Sequence, residues 1–502
     1  MLKKTRRLLA VVFFTLITLL LLDFTGALHT WLGWMAKVQF LPAVLAVNVV
    51  VIVVLVILTL VFGRIYCSVI CPLGVFQDIV AWIHGKRKKN RYSYSPAMSW
   101  LRYLMLAVLV VAIIAGVGAL VALLAPYSTF GRMVQNLLQP LWMLGNNVLA
   151  GIAERMDSYT FYHVDVWIKS LTTFAIAAVT FLVIGYLAWR HGRTWCNTIC
   201  PVGTVLGFFA RFSWFKVRFV EDKCKQCSLC SKNCKASCID YKTMTVDYSR
   251  CVVCGNCIDQ CKFGALSYAP GPLMPRKKKT ETDSAIDAGQ QKNVSEGRRA
   301  FLLATAAATT AALAQEKKKV DGGLAVIEEK VAPERQTPIT PPGSLSANNM
   351  ARRCTACQLC VSKCPNQVLR PSANLSTLMQ PIMSFERGYC RPECVDCAEV
   401  CPTGAIQPIT RAEKSAIQIG HAVPIHKNCV NITDSIDCDN CSRHCPTGAI
   451  EMVPSDPNDE ESFMVPAVNT EKCIGCGACE NLCPARPFSA IIVEGHEVHR
   501  TI

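Results

Sequence analysis

Three motifs that would indicate familiar enzyme chemistry are missing from the sequence. No glycine-rich dinucleotide loop follows a predicted strand, which argues against a Rossmann-type nicotinamide or flavin site. No C-x-x-C-H motif is present for covalent haem attachment, and no convincing pair of nucleophile and base stands out. Any redox or metal chemistry therefore has to come from other residues.

Cysteines are the residues that can supply this chemistry. The chain has 29 cysteines, and almost all fall into C-x2-C and C-x3-C groups, several of them followed by proline. This spacing is typical of iron–sulfur ligation and unlike the disulfide framework of a short secreted protein. Because a [4Fe–4S] cluster transfers single electrons, the pattern predicts an electron-transfer protein.

The net charge of +16 has a topological explanation. The densest basic runs flank apolar segments, as the positive-inside rule requires. Hydrophobic residues make up 51% of the 502 positions. The sequence therefore predicts a membrane protein and no nucleic-acid partner.

Four apolar segments predict membrane-spanning helices, at residues 8–22, 41–62, 101–124 and 168–189. The loop between the second and third segments is rich in lysine and arginine, whereas the loop at 126–167 is poor in both. By the positive-inside rule the first loop is cytoplasmic and the second faces outward. We therefore predict a four-helix membrane domain over residues 1–217, after which the chain is back in the cytoplasm.

An internal repeat follows two of these segments. Residues 63–74 and 192–203 share the pattern Gly-Arg-x-aromatic-Cys-x3-Cys-Pro-x-Gly. A spacing of four places both cysteines of a copy on one face of a helix. The two copies predict four thiols at the cytoplasmic surface: Cys67, Cys71, Cys196 and Cys200. The pattern leaves open whether these thiols hold a cluster or another metal, form a redox-active set, or only pack.

Two cysteine runs predict a cytoplasmic two-cluster ferredoxin over residues 218–270. Each run has the spacing C-x2-C-x2-C-x3-C, in which the fourth cysteine ligates the other cluster. The predicted ligands are Cys224, Cys227, Cys230 and Cys261 for one cluster, and Cys251, Cys254, Cys257 and Cys234 for the other. Lys235 stands where proline usually follows the fourth cysteine. The additional Cys238 either replaces Cys234 as a ligand or is a spare thiol.

A polar segment and an internal export signal come next. Residues 271–297 are polar and predict a disordered linker. Arg298 and Arg299 precede a mildly apolar run that ends at Ala314, and this pattern resembles a twin-arginine export signal or anchor over 298–316, followed by a second linker over 317–345. As a helix the run would be about 22 Å long, short of a hydrocarbon core. The sequence leaves open whether it stays as a fifth anchor or is cleaved after Ala314.

Four further cysteine runs predict a four-cluster domain over residues 346–502. Runs two and three share a lengthened spacing and the sequence Cys-Pro-Thr-Gly-Ala-Ile, whereas runs one and four are compact. We therefore pair run two with run three and run one with run four, and sequential pairing is the alternative. The predicted ligand sets are Cys354, Cys357, Cys360 and Cys483; Cys473, Cys476, Cys479 and Cys364; Cys390, Cys394, Cys397 and Cys445; and Cys429, Cys438, Cys441 and Cys401.

These sixteen cysteines give a reason for export in the folded state. An oxidising compartment would pair naked thiols wrongly, so the clusters have to be inserted before export. A twin-arginine pathway carries folded proteins and permits this order. We therefore predict a bacterial inner-membrane protein whose C-terminal domain is on the periplasmic side.

The motifs together resemble two known families. The Gly-Arg-x-aromatic-Cys-x3-Cys-Pro copies and the ferredoxin after them resemble the NapH family, which is related to the NosR and FixG membrane polyferredoxins. The part after Arg298, with its Pro341-Pro342-Gly343 stretch and four cysteine runs, resembles NapG. The resemblance implies a quinol dehydrogenase with six [4Fe–4S] clusters, which takes electrons from the membrane quinol pool and passes them to a periplasmic terminal reductase or electron carrier.

The predicted fold class is a membrane α-helical domain, with four spans and an internal signal or anchor helix, joined to α+β ferredoxin domains of the bacterial type. Two other functions stay open. The first is a maturation factor for a metalloenzyme, and the second is a quinol-independent wire from a cytoplasmic ferredoxin to the periplasm. No ligand group is identifiable at the middle of the membrane, so the predicted path has no central carrier.

Overall fold

A computed structural model of the chain describes residues 2–87, 92–158, 160–271, 329–459 and 462–502. The chain divides into a unit of Met1–Pro275, Ala332–Ala485 and Ser489–Ile502, which contains every cysteine, and a small unit of Arg276–Val331 and Arg486–Phe488. In the small unit, the N–H of Val331 donates to the carbonyl of Pro487 at 2.9 Å. The predicted twin-arginine segment at 298–316 lies outside the described residues.

Helices account for most of the first 210 residues. They are α1 (Leu2–Leu22), α2 (His29–Leu32), α3 (Trp34–Lys37), α4 (Phe40–Leu45), α5 (Val49–Phe62), α6 (Tyr66–Val69), α7 (Pro72–Arg87), α8 (Ser99–Ala115), α9 (Gly118–Leu124), α10 (Pro126–Met133), a π-helical turn (Val134–Leu138), α11 (Gln139–Glu154), α12 (Leu171–His191), α13 (Thr194–Thr198) and α14 (Pro201–Ala210). The long apolar stretches of the sequence form the long helices, as their composition predicts.

Among the described residues, two helices, α1 and α12, are long and apolar enough to cross a membrane. The second predicted span is divided between α4 and α5, because the side chain of Asn48 accepts a hydrogen bond from the N–H of Val51 and starts a new helix. The third is divided between α8 and α9 at Gly116. Of the four predicted spans, two are therefore continuous helices of spanning length.

Short strands and one-turn helices make up the cysteine-rich parts. The strands are β1 (Phe215–Phe219), β2 (Ile239–Asp240), β3 (Thr245–Val246), β4 (Leu266–Pro270), β5 (Leu369–Pro371), β6 (Pro381–Met383), β7 (Ile417–Pro424), β8 (Ile450–Pro454), β9 (Met464–Val468) and β10 (Ile491–Thr501). They pair antiparallel as β1–β4, β2–β3, β5–β6, β7–β10 and β8–β9. The helices are Leu229–Lys232, Asn256–Gln260, Ala347–Arg353, Leu359–Lys363, Asp396–Glu399, Arg411–Ala416, Val430–Thr433, Asn440–Arg443 and Ala478–Leu482, and 3-10 turns occur at Glu221–Lys223 and His426–Asn428. The predicted α+β ferredoxin part of the fold is confirmed.

The two cysteine-rich parts contact opposite ends of α1. At the first end, Lys3 forms an ion pair with Asp259 of the N-terminal ferredoxin. Beyond the last residue of the helix, the carbonyl of Gly26 accepts a hydrogen bond at 3.2 Å from Lys363 of the C-terminal part. A helix of this length is about 30 Å long. The helical part therefore lies between the two sets of candidate cluster ligands.

Candidate cluster sites

The first site of the N-terminal ferredoxin is a small cavity of about 350 Å³. Its lining includes the four predicted ligands Cys224, Cys227, Cys230 and Cys261. Burial, with Cys224 and Cys227 nearby, raises the pKa of Cys230 to about 11. The structure brings together the four thiols that the sequence assigned to one cluster.

The second site of this ferredoxin contains five neighbouring thiols instead of four. Burial raises the pKa of Cys257, and Cys254, Cys234 and Cys251 raise it further. The sulfur of Cys238 is 3.5 Å from the sulfur of Cys234, and their hydrogen bond lowers the pKa of Cys234 to about 6. The structure thus places both Cys234 and Cys238 beside the other three thiols, and the choice between them stays a prediction.

Two cavities identify neighbouring thiols in the C-terminal part. One, of about 380 Å³, is lined by Cys390, Cys394, Cys397 and Cys364. The other, of about 280 Å³, is lined by Cys473, Cys476, Cys479 and Cys445. In both cavities the fourth cysteine comes from the adjacent run, as in a two-cluster ferredoxin.

The other two sets of four thiols are identified by cysteines that lie close enough to raise one another's pKa. Burial raises the pKa of Cys357 to about 12, and Cys401 contributes to this rise. Cys401 also lies close to Cys354 and Cys360. In the second set, burial raises the pKa of Cys441 to about 11, with contributions from Cys483 and Cys429. Cys438 completes this set through its proximity to Cys429.

These neighbours correct the predicted pairing of the runs. The structure does not bring Cys483 to run one or Cys445 to run two; run one exchanges its fourth cysteine with run two, and run three with run four. The shared Cys-Pro-Thr sequence has a local cause. The hydroxyl of Thr403 is 3.6 Å from the sulfur of Cys401, and Thr447 is 3.6 Å from Cys445 in the same way. The motif forms a similar turn around each of the two sulfurs and does not indicate that runs two and three exchange cluster ligands.

The thiols of the Cys-x3-Cys-Pro repeat are buried inside the protein, with exposed fractions of 4% to 5%. Cys67 lies in α6 and Cys196 in α13, while Cys71 and Cys200 directly precede the prolines that begin α7 and α14. Burial raises the pKa of Cys200, and Cys196, Cys71 and Cys67 raise it further. The structure thus brings the four predicted thiols together, inside the helical part.

Each of the four sulfurs of this repeat site accepts a hydrogen bond from an N–H group. Arg64 Nη2 is 3.7 Å from Cys67 Sγ, and Gln77 Nε2 is 3.2 Å from Cys196 Sγ. The N–H groups of Gly203 and Gly74 donate to Cys200 and Cys71 respectively, the former at 3.4 Å. The two copies are equivalent at their second cysteine, where the donor is the glycine of Cys-Pro-x-Gly.

The arginines of the repeat cross from one copy to the other. Arg64 Nη2 donates to the carbonyl of Cys196 at 3.3 Å, and Arg193 Nη1 donates to the carbonyl of Cys67 at 2.5 Å. Both side chains are fully buried. Sequence analysis noted these arginines only as part of the pattern; their identical position in both copies was the signal for a shared role.

Asp78 is a further residue that sequence analysis missed. Its carboxylate is 2.7 Å from Arg193 Nε, 2.9 Å from Arg6 Nη1 and 2.5 Å from Lys235 Nζ. These cations hold the pKa of Asp78 far below its usual range, although burial acts in the opposite direction. The carbonyl of Lys235 also accepts a hydrogen bond from the N–H of Arg193 at 2.8 Å. Lys235, which stands where a proline is usual, thus connects the ferredoxin to the repeat.

A large cavity that is open to solvent adjoins this ion cluster. Its apolar wall is formed by residues of α1 and α7, among them Val11, Val75 and Ile79. The cavity also reaches Asn256, which precedes Cys257 of the second ferredoxin site. Among the described residues, the charged side chains that line it are seven cations and one carboxylate: Lys3, Arg6, Arg7, Lys86, Lys232, Lys235 and Lys262, with Asp78. The cavity combines an apolar wall, a positive field and proximity to a candidate cluster.

Comparison with protein families identifies iron–sulfur domains in four segments of the chain, matched by three family models. A model described as a 4Fe-4S binding domain matches residues 44–90 and 171–219, and each match contains one copy of the repeat. Another model with this description matches residues 244–267. A 4Fe-4S dicluster domain matches residues 436–486. Iron–sulfur clusters are therefore the cofactors of this chain.

Three curated relatives illustrate its similarity to known proteins. The methylamine utilization ferredoxin-type protein MauM of Methylobacillus flagellatus is 32% identical over 32% of this chain and 70% of MauM. Ferredoxin-type protein NapG of Escherichia coli is 29% identical over 32% of this chain and 75% of NapG. Ferredoxin-type protein NapH of Escherichia coli is 25% identical over 39% of this chain and 59% of NapH. The matches span 42% to 75% of these and other relatives. No solved structure matches the chain.

Proposed function

Since the chain belongs to the family of ferredoxin-type iron–sulfur proteins that includes MauM, NapG and NapH, we propose that it transfers electrons across a membrane, from quinol to an acceptor on the other side. The resemblance to NapH and NapG is confirmed, and with it the role in iron–sulfur electron transfer. Quinol, the membrane and the acceptor belong to the proposal.

The observation that carries this proposal is the placement of the two cysteine-rich parts at opposite ends of α1. Helices between them expose large apolar side chains: Val50 of α5 is 73% exposed, Val111 of α8 63% and Leu182 of α12 65%. Apolar surface of this extent indicates contact with lipid or a partner. A membrane around these helices would put the two sets of clusters on its opposite sides.

Charge supports the orientation with the N-terminal ferredoxin inside. Lys3, Arg6, Arg7 and Lys86 all line the cavity at the ferredoxin end of α1 and α7. Cytoplasmic segments close to membrane helices carry such an excess of lysine and arginine. In this orientation the part after residue 346 is periplasmic, as the twin-arginine-like segment also predicts.

Quinol fits the basic cavity beside the second ferredoxin site. Apolar side chains would hold the ring and tail, and the cations would stabilise the anions that form as the hydroxyl protons leave. Oxidation of one quinol to quinone releases two protons to water and two electrons, which enter the clusters one at a time. The periplasmic reductase or carrier is the final oxidant.

We assign six [4Fe–4S] clusters to the ferredoxin sites. The proposed sets are Cys224, Cys227, Cys230 and Cys261; Cys251, Cys254, Cys257 and Cys234; Cys354, Cys357, Cys360 and Cys401; Cys390, Cys394, Cys397 and Cys364; Cys429, Cys438, Cys441 and Cys483; and Cys473, Cys476, Cys479 and Cys445. The thiols of each set are neighbours, and thiolates are the ligands that such clusters require.

Menadiol added to membrane vesicles that contain the chain tests the quinol step. We expect it to reduce the clusters, as followed by EPR, and a quinone-site inhibitor to block the reduction. Arg7→Gln with Lys232→Gln should slow the step, because both residues line the cavity, whereas Arg411→Gln, an exposed arginine of the C-terminal part, should not. Clusters that dithionite reduces but menadiol leaves oxidised would refute quinol as the donor.

A soluble cytoplasmic donor is a second candidate because the first ferredoxin site is open to solvent. Cys227 is exposed, unlike the thiols of the repeat site. A reduced ferredoxin docked there would deliver electrons without quinol. Reduction of vesicles by a reduced ferredoxin, unaffected by the quinone-site inhibitor, would favour this donor.

A further inference from the structure

We propose that Cys67, Cys71, Cys196 and Cys200 together hold one [4Fe–4S] cluster, and that this seventh cluster is the relay between the two ferredoxin-like parts. The relay role rests on the proposed transfer across a membrane; the presence of the cluster does not. Such a cluster would supply the central carrier that the sequence alone does not identify.

The four thiols form one group and not two pairs. All six pairs of these sulfurs are close enough to interact electrostatically. Among the described residues, no three His, Cys, Asp or Glu side chains converge closely enough to hold a single metal ion, and this is equally true of the ferredoxin sites. Wider spacing suits a [4Fe–4S] cluster, in which each thiolate binds a different iron.

The surroundings fit an anionic cluster. The guanidinium groups of Arg64 and Arg193 are fully buried beside the thiols. Arg64 Nε and Arg193 Nη2 have no hydrogen-bond partner in the part of the chain that the structure describes. Buried cations are costly unless negative charge lies nearby; Arg193 already pairs with Asp78, whereas Arg64 forms no ion pair among the described residues. Thiolates and sulfides of a cluster would supply that charge, and N–H donors to the sulfurs would tune its potential.

Close contacts within each copy and hydrogen bonds between the copies hold the four cysteines in place. Gly74 and Gly203 leave no room for a Cβ, which would collide with the carbonyl oxygens of Cys67 and Cys196 respectively. The same two carbonyls accept the crossed hydrogen bonds from Arg193 and Arg64. Within each copy the glycine therefore packs against the carbonyl of the first cysteine, and the arginine of the other copy donates a hydrogen bond to the same carbonyl.

The site lies next to the N-terminal ferredoxin. Arg64 Nη1 donates to the carbonyl of Ser249 at 2.9 Å, two residues before Cys251. Asn197, which follows Cys196, accepts from the same nitrogen at 3.0 Å and donates to the carbonyl of Ala236 at 3.3 Å. An electron leaving the second ferredoxin site would therefore reach the repeat site in one short step.

The other neighbour of the relay is the cluster site of Cys354, Cys357 and Cys360. Gly131 of α10 packs against the carbonyl of Cys357 and against Leu21 of α1. On the same helix, Arg6 donates to the carbonyl of Ser68, next to Cys67, at 3.2 Å. Arg6 and Leu21 are separated by about 22 Å along the helix. Because tunnelling slows steeply with distance, a centre at the repeat replaces one long step by two shorter ones.

Aromatic side chains occupy the interval between these two sites. The rings of Phe14 on α1 and Phe130 on α10 are 5.2 Å apart. The buried Tyr127, also on α10, lies close to Cys357. The same hydrophobic core contains Cys67, Cys71 and Cys357, with Phe130 and Tyr127. Hydrophobic side chains therefore pack in the interval between the two sites.

Counting iron in the full chain tests the cluster. With seven clusters we expect about 28 iron atoms and as many acid-labile sulfides per chain, against about 24 with six. Cys71→Ser with Cys200→Ser should lower the count by about four and leave the ferredoxin EPR signals unchanged. A wild-type count of about 24 would refute the seventh cluster, and this result does not depend on whether the variant folds. A variant that keeps all its iron would refute it as well.

Inside-out vesicles test the relay without quinol. Dithionite does not cross the membrane, so when it is added outside these vesicles it reaches only the N-terminal ferredoxin. We expect the C-terminal clusters to be reduced in the wild type and to stay oxidised in the double variant. As a control, Gly145→Ala, at a position where an added methyl group meets nothing within 4 Å, should keep all its iron and leave this transfer intact. Reduced C-terminal clusters in the double variant would overturn the relay, whatever the outcome with menadiol.

Discussion

The repeat site and the ferredoxin sites hold their thiols in different ways. In each ferredoxin site, three thiols come from one short run, and nearby backbone N–H groups donate to sulfur, as Ala265 does to Cys261 at 3.2 Å. In the repeat site the thiols come from segments more than a hundred residues apart, and the side chains of Arg64 and Gln77 donate in addition to the backbone N–H groups of Gly74 and Gly203. Ferredoxin sites are therefore built locally, whereas the repeat site depends on helix packing.

This difference separates two kinds of sensitivity to mutation. A ferredoxin site should lose its cluster when a ligand is removed and tolerate change elsewhere. The repeat site should also fail when residues that join its two halves are changed, even if all four cysteines remain.

The largest expected effect is the loss of whole clusters from paired cysteine variants in the C-terminal part. Cys354→Ser with Cys401→Ser should remove about four iron atoms, because both thiols belong to one set. Cys401→Ser with Cys483→Ser should remove about eight, because these thiols belong to two. Equal losses, measured by iron analysis, would contradict the sequential pairing.

Next in size is the effect of breaking the ion cluster at Asp78. Asp78→Asn leaves Arg6, Arg193 and Lys235 without their shared carboxylate, and loss of one partner from a buried pair costs about 3–5 kcal/mol. We expect a lower unfolding temperature and less iron at the repeat. Asp439→Asn is the control, since its ion pair with Arg443 is exposed. Equal stability of both variants would show that the repeat does not depend on this contact.

A smaller effect is expected from Gly203→Ala. The added methyl group meets the carbonyl of Cys196 and Arg64 Nη2, and overpacking of this kind costs about 1–3 kcal/mol. The iron of the repeat should be partly lost while the ferredoxin EPR signals persist. Gly145→Ala adds the same group where nothing lies within 4 Å and should change neither quantity.

The smallest expected effect concerns pH and the C-terminal part alone. Burial, and secondarily His496, lowers the pKa of His499 to about 4. Between pH 6.5 and 4 the unfolded chain therefore binds more protons, and stability falls as pH decreases, by roughly 1–2 kcal/mol. His499→Gln should reduce this slope in chemical unfolding at several pH values. An unchanged slope would mean that other groups cause the acid sensitivity.

Sequence reasoning correctly predicted which thiols meet where short spacing along the chain determines the site. Cys224, Cys227, Cys230 and Cys261 follow a local pattern, and the structure brings them together. The pairing of distant runs was wrong because the Cys-Pro-Thr-Gly-Ala-Ile motif describes a turn around Cys401 and Cys445, and a turn carries no information about which run lies opposite.

The burial of the repeat thiols was also beyond the sequence. Hydropathy placed Cys67 and Cys196 just after apolar segments, at the cytoplasmic end of the predicted spans, and did not indicate that other parts of the protein cover them. In the structure α5 and α12 end at Gly63 and Gly192, and the chain turns back into the helical part. Such a reversal depends on tertiary partners, here Arg64, Arg193 and Asp78, whose long-range contacts have no short sequence pattern.

The crossed arginines have a consequence for biosynthesis. After Cys71 has been added to the growing chain, 128 further residues have to be added before Cys200. During that interval the first copy of the repeat carries two unpaired thiols and the cation of Arg64, with neither Cys196 nor Asn197 to contact. Delivery of iron to the proposed cluster would have to wait for the second copy. The order of synthesis would thus make cofactor loading a checkpoint for correct assembly of the helices.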